Sequence, residues 1–335
     1  MNKPLPVIAL SSVAVLALAG CSQGEGTGST DKETADVIRV VASTNVYGDI
    51  VSQIGGDHVE VTSIIASLSQ DPHEYEATAS DQLSVNKAQL IVENGGGYDA
   101  FIQSLREASG TDADVVTAVE YSHDYPGSDV HDDDDDDAHD EAEETDDDAA
   151  EDDHDDHDHI EGFNEHVWYD PHTVSHVAEA IAEELIELDA ANTADYEQNL
   201  ADFQSELDGL ESSLAEIATV HQGDKIFVTE PVPLYLAEAA GLVNVTPEEF
   251  SEAVEEGQDV PPATLLEALD LIGAGDIAVL FANAQTGGPE TTQVIDAAEA
   301  AGTAVQEVTE LVPDGDSYIS WMQENIATLA GNLDR

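Results

Sequence analysis

Positive charge and sulfur are both scarce in this chain. Seven Lys and Arg stand against 74 Asp and Glu, a formal net charge of −67. So acidic a polypeptide repels phosphates, which argues against nucleic acid or an anionic lipid surface as partner and favours cations. Acid in such excess also points to a saline habitat. Cys21 is the single cysteine, so no disulfide can close within the chain. The apolar run at 7–19 is too short for a spanning helix. There is no HExxH pair, no GxSxG elbow and no P-loop, the common signatures of zinc hydrolases, serine hydrolases and nucleotide-binding enzymes. The 335 residues leave room for two domains with full cores.

What is present begins with an export signal. Lys3 precedes the apolar run, which ends in Leu18-Ala19-Gly20-Cys21. Charge, apolar segment and small residues read as a signal peptide over 1–21. The last four residues resemble the bacterial lipobox. That resemblance implies cleavage before Cys21, lipidation of its thiol, and anchoring to the outer face of the cell membrane. Residues 22–36, rich in Gly, Ser, Thr, Asp and Glu, form a flexible tether.

The stretch at 122–161 is almost wholly Asp, Glu, His, Ala and Gly. It cannot bury enough apolar surface to offset its ordering entropy, so it is predicted to be a solvated, disordered loop. Residues 123–161 hold 22 of the acids and six of the chain's twelve histidines. Solvation alone does not call for histidine. His131, His139, His154, His157 and His159, with His123, are candidates for low-affinity metal capture, the plainer alternative being a spacer. The composition then changes abruptly: 162–171, GFNEHVWYDP, packs aromatics and turn formers around His166.

Elsewhere, short apolar runs alternate with helical periodicity. Strands are predicted at 37–43, 59–65, 89–93, 225–229, 277–281 and 305–308. Helices are predicted at 45–55, 82–87 (capped by Ser80 and Asp81), 172–188, 193–218, 234–240, 263–272, 291–300 and 317–333. This order defines an α/β protein with mainly parallel sheets. The N-terminal lobe spans 37–192 and contains the acidic loop. An amphipathic helix over 193–220, roughly 40 Å long at about 1.5 Å per residue, links it as a rigid strut to a second α/β lobe at 221–335.

Ligands of such sheets gather beyond the strand carboxyl ends. His73, His166, Glu230 and Glu310 all follow predicted strands or close loops, two per lobe. Imidazole and carboxylate suit zinc, manganese and related divalent ions. Asn283 and Gln285, after the 277–281 strand, are placed to hydrogen-bond such ligands. His172 and His176 stand at helical i, i+4 spacing and read as surface polar residues.

Six segments make the pattern specific: ASTNVYGD at 42–49, DPHEYEA at 71–77, NGGGYD at 94–99, NEHVWYDP at 164–171, TEPVPLYL at 229–236, and TELVP running to YISWM at 309–322. Together they resemble the TroA-like metal-binding solute-binding proteins of zinc and manganese ABC importers, from residue 37 to the C terminus. The resemblance implies two α/β lobes joined by a long helix, the metal lying in the cleft between them. It carries His73, His166, Glu230 and Glu310 over as the four ligands. It also implies a permease and its ATPase as partners, and a monomer fits the role. Zinc-type members often have His where Glu230 stands, and Asp is frequent where Glu310 stands. Both departures add carboxylate, which suits manganese, whereas the His/Asp-rich loop before the second ligand marks zinc-type members. Zinc is the expected ion, with manganese the alternative.

Two other classes compete with a binding protein. A secreted metallohydrolase needs an open metal position and a nearby base, whereas four ligands close the shell. A surface adhesin or metal store built on the loop would not need four ligands placed across two lobes.

Overall fold

The computed structural model describes residues 37–70, 72, 73, 75–126, 160 and 162–335. Cys21, the tether at 22–36 and the loop histidines His131, His139, His154, His157 and His159 lie outside the described residues.

The first lobe runs β1 (Ile38–Thr44), α1 (Asn45–Gly55), β2 (Val59–Ile65), α2 (Ala79–Lys87), β3 (Leu90–Glu93), α3 (Ala100–Ser109) and β4 (Asp114–Thr117). Its sheet has the order β2-β1-β3-β4 and every pairing is parallel, with Val40 opposite both Val61 and Leu90. A parallel sheet covered by helices on both faces needs apolar residues on both. This is why β1 and β3 carry consecutive apolar residues, Val40–Ala42 and Leu90–Val92, and are almost wholly buried. After the acidic stretch, α4 (Pro171–Leu188) packs against α1 and β4.

The helix α5 (Thr193–His221) follows, 29 residues long, or about 43 Å. Its buried stripe of Tyr196, Phe203, Leu207, Leu210, Leu214 and Ile217 keeps a helical period along its length. The second lobe is β5 (Lys225–Val228), α6 (Leu234–Ala239), β6 (Val243–Asn244), α7 (Glu248–Glu255), α8 (Pro262–Gly273), β7 (Ile277–Asn283), α9 (Pro289–Ala301), β8 (Ala304–Val308) and α10 (Tyr318–Leu333). Its sheet repeats the first, β6-β5-β7-β8, again wholly parallel. α5 packs on α1 and α4 from the first lobe and on α6 and α10 from the second. The fold is thus two parallel-sheet α/β lobes with a long helix between them.

Several details depart from the sequence pattern. α2 begins at Ala79 and is capped by Thr78, not by Ser80 and Asp81. Thr78 Oγ1 accepts the Asp81 N–H at 3.3 Å while Asp81 Oδ2 accepts the Thr78 N–H at 2.7 Å, so Asp81 serves the third position of a reciprocal capping box. α3, β4, β6 and α7 have no counterpart among the predicted elements. β4 and β6 are four and two residues long, too short for an alternation to register. The long helix also continues three residues past its predicted core, to His221.

Three carboxylates in this framework, the half-buried Asp49 and the buried Glu93 and Asp99, have pKa values raised chiefly by loss of solvent. Hydrogen bonds from the Tyr318 N–H to Asp49, and the Arg106 guanidinium beside Glu93, oppose the effect without cancelling it. A carboxyl whose folded pKa exceeds its unfolded value binds more protons in the native state. Stability therefore falls as pH rises from the unfolded pKa through the folded one. Self-repulsion among the surface acids acts in the same direction. The metal-free protein should melt several degrees higher at pH 5.5 than at pH 7.5, at matched ionic strength. A higher melting temperature at pH 7.5 would contradict this.

Candidate metal centre

Because all strands in each sheet are parallel, their carboxyl ends lie on one side. Tyr98 follows β3, Glu230 lies two residues past β5, Asn283 ends β7, and Glu310 lies two residues past β8. The carboxyl ends of the two sheets meet. Asn45 bonds Val312 through both backbone groups, donating at 2.8 Å and accepting at 3.1 Å. Tyr169 Oη donates to the Thr309 carbonyl at 2.7 Å, and Tyr318 Oη to the Trp168 carbonyl at 2.8 Å.

His166 is fully buried, between α7 and the aromatic cluster. Its Nδ1 lies 2.8 Å from Asn164 Oδ1, and the Asn164 amide nitrogen donates to the Pro231 carbonyl at 3.2 Å. The Asn164 oxygen is therefore the acceptor and Nδ1 carries the proton, which turns Nε2 toward the site. Tyr98 and Trp168 brace the ring at centroid distances of 5.7 and 5.2 Å. His73 is half-buried and stands edge-on to Tyr98 at 5.0 Å, its ring 6.3 Å from that of His166.

Tyr98 reaches this position because Gly95, Gly96 and Gly97 all adopt positive φ (81°, 69° and 100°). At Gly95 a Cβ would also stand 2.5 Å from Thr117 Cγ2, so only glycine fits there. Burial and Glu310 push the Tyr98 phenol well above its ordinary pKa. It stays protonated and donates to Glu310 Oε2 at 3.1 Å.

Glu230 and Glu310 are joined through one amide. Asn283 Nδ2 donates to Glu230 Oε2 at 2.8 Å and to Glu310 Oε1 at 2.7 Å, and Thr286 Oγ1 donates to Glu230 Oε1. Gln285 Oε1 accepts the backbone N–H groups of Glu310 and Leu311 at 2.8 and 3.2 Å. Its Nε2 reaches the Gln70 carbonyl at 3.4 Å, in the loop that carries His73.

One further acid joins the histidines. Donor atoms of His73, His166 and Glu255 all lie within 4.8 Å of one another, with Glu255 Oε1 3.8 Å from His166 Nε2. Burial, then the carboxylates of Glu165, Glu230, Glu310 and Glu256, push the Glu255 carboxyl up to about 9. Among the described basic side chains, Arg106 pairs with Glu93, Lys225 with Asp276, and Arg39 donates to the Lys87 carbonyl, so these three are engaged elsewhere. The geometry thus falls into two neighbouring halves, His73–His166–Glu255 and Glu230–Asn283–Glu310, linked by Tyr98. The donors fit a divalent ion, whose charge would offset the gathered carboxylates. Glu255, Asn164 and Thr286 were not singled out from the sequence.

His172 and His176 lie away from this cluster, on the outer face of α4. Their Nε2 atoms are 3.4 Å apart, with Glu211 and Glu179 beside the respective Nδ1 atoms at 3.8 and 3.5 Å.

A two-lobed parallel α/β body on a helical strut, with histidines and carboxylates meeting where the sheets face each other, defines a metal-type solute-binding protein by fold. The family model for the zinc-uptake complex component A, periplasmic (ZnuA), matches residues 40–332, and the chain belongs to that family. It is 26% identical over 358 residues to the manganese ABC transporter substrate-binding lipoprotein PsaA of Streptococcus anginosus, covering 99% of this chain and 100% of that one. It is also 26% identical to the manganese-binding lipoprotein MntA of Halalkalibacterium halodurans, covering 96% of each. In structure it resembles the periplasmic zinc-binding protein TroA of Treponema pallidum, with a TM-score of 0.68 at 20% identity over 89% of this chain and all of that one.

Proposed function

We propose that this chain is the extracytoplasmic receptor of a divalent-metal ABC importer. It captures zinc outside the membrane and delivers it to a permease driven by its ATPase, while a lipid on Cys21 holds it at the outer face. The observation that carries this reading is the meeting of His73, His166 and Glu255 within 4.8 Å, beside the bridged pair Glu230 and Glu310. His73, His166, Glu230 and Glu310 are the proposed ligands, and Asn283 and Gln285 hold the carboxylates in place. Neutral imidazole and ionised carboxylate bind the ion, so affinity falls in acid as His73 and His166 take up protons.

Manganese is the second reading, favoured by the number of carboxylates and by the names of the two relatives. At equal geometry zinc binds such donors more tightly than manganese. The histidines at 131–159 would add weak sites that raise the local ion concentration beside His166.

The test is a titration of the metal-free full chain with zinc and with manganese, against a chelator of known affinity. One tight zinc per chain, with uptake but no turnover, is expected. Tighter manganese than zinc would make manganese the cargo. Failure to bind either ion stoichiometrically would overturn the receptor reading. Removal of 123–161 should leave the tight site in place and slow uptake only at limiting metal.

A further inference from the structure

Glu255 sits in a stretch where every neighbouring acid is an ordinary surface residue, yet its side chain is turned inward and only 13% exposed. The helix that carries it is firmly placed. Phe250 on α7 is buried against Phe227 of β5 at a ring distance of 5.4 Å, and Thr264 Oγ1 donates to Glu249 Oε2 at 2.5 Å. Gly257, at φ 63°, ends the helix: its N–H reaches the Val254 carbonyl at 3.1 Å, and the Gln258 N–H reaches the Ala253 carbonyl at 2.7 Å. Glu255 is thus the last helical residue of a docked element, aimed at His166.

Its surroundings differ from those of the other two acids. Glu230 and Glu310 accept hydrogen bonds from Asn283, Thr286 and Tyr98. Glu255 Oε1 is buried and accepts no hydrogen bond from the described residues. A carboxylate oxygen placed so is costly unless a cation meets it. Ligand atoms about 2.0–2.2 Å from one ion stand roughly 3–4 Å apart, and Oε1 is 3.8 Å from His166 Nε2.

Building on the receptor reading, we infer that Glu255 is an additional carboxylate arm of the metal site, and that it decides how well the site accepts manganese relative to zinc. Two imidazoles and two carboxylates already complete the four positions zinc prefers. Manganese takes more donors, mostly oxygen. The extra oxygen therefore serves manganese more than zinc, and its removal narrows the site toward zinc.

The test uses the full chain with Glu255→Gln, which keeps the shape and removes the charge. Glu256→Gln, at the exposed next position, is the control for charge alone. Expected is a loss of at least about tenfold in manganese affinity in E255Q, a change in zinc affinity within about threefold, and no change for either ion in E256Q. Metal-free melting curves confirm that both variants fold, and manganese electron paramagnetic resonance should differ between E255Q and the unsubstituted chain. E255Q indistinguishable from E256Q, or an equal loss for both ions, would overturn the assignment of Glu255. So would an unsubstituted chain that takes zinc but no manganese. Loss in His73→Ala of whichever ion the unsubstituted chain binds would uphold the receptor reading in each of these cases, so the two ideas fail separately.

Discussion

His166→Ala is expected to lower zinc affinity about a hundredfold or more while the metal-free chain still folds. Apparent binding free energies of structural zinc sites run to about 10–16 kcal/mol, or roughly 3 kcal/mol for each of four ligands. A loss of that size exceeds a hundredfold in Kd. The fold should survive because the ring adds little apolar packing of its own, while Trp168 and Tyr98 still brace each other at 4.7 Å. His172→Ala, on the exposed face of α4, should leave tight binding unchanged and controls for the loss of an imidazole. Competition with a chromophoric chelator gives both affinities. Unchanged zinc binding in His166→Ala would remove this residue from the site.

Trp168→Ala should have the largest effect on stability. The indole is 1% exposed, lies 4.7 Å from Tyr98 and 5.2 Å from His166, and its backbone carbonyl accepts the Tyr318 hydroxyl from the other lobe. Emptying such a position costs about 3–5 kcal/mol, roughly 5–15 °C in melting temperature for a chain of this size. Trp168→Phe should cost far less than the area alone implies, because the Trp168 indole N–H is buried without a hydrogen-bond acceptor among the described residues. Thermal melts of the two variants decide the matter. Equal losses would mean that the indole nitrogen contributes where the geometry gives it nothing to bond.

Much of the fold was legible because its elements obey strong local rules. β1 and β3 are apolar on both faces, as a covered parallel sheet requires, and α5 keeps its stripe over eight turns. β4 and β6 were not legible, since their pairing partners rather than their own sequences make them strands. For the site, His73, His166, Glu230 and Glu310 stood out by their motifs and by following strands. Glu255 did not. Glu252, Glu255 and Glu256 are chemically alike and adjacent, and only the docking of Phe250 turns Glu255 inward while Glu252 and Glu256 stay exposed. In a chain with 74 acids, a functional carboxylate has no compositional contrast. Histidine, at twelve residues, keeps its contrast, and two of them, His73 and His166, meet in the cluster with Glu255.

The strut and the cross-lobe bonds bear on how a full receptor is told from an empty one. Both lobes pack along α5, and Asn45, Tyr169 and Tyr318 fasten one sheet's rim to the other. A body bolted in this way leaves little swing for a jaw-like closure. The parts placed to respond are described residues outside helices and strands: 66–70, 72, 73 and 75–78 around His73, and the run at 256–261 that leaves Glu255. An arriving ion would write its presence into these two short patches. A transporter inspecting the surface would then read cargo from local relief rather than from overall posture.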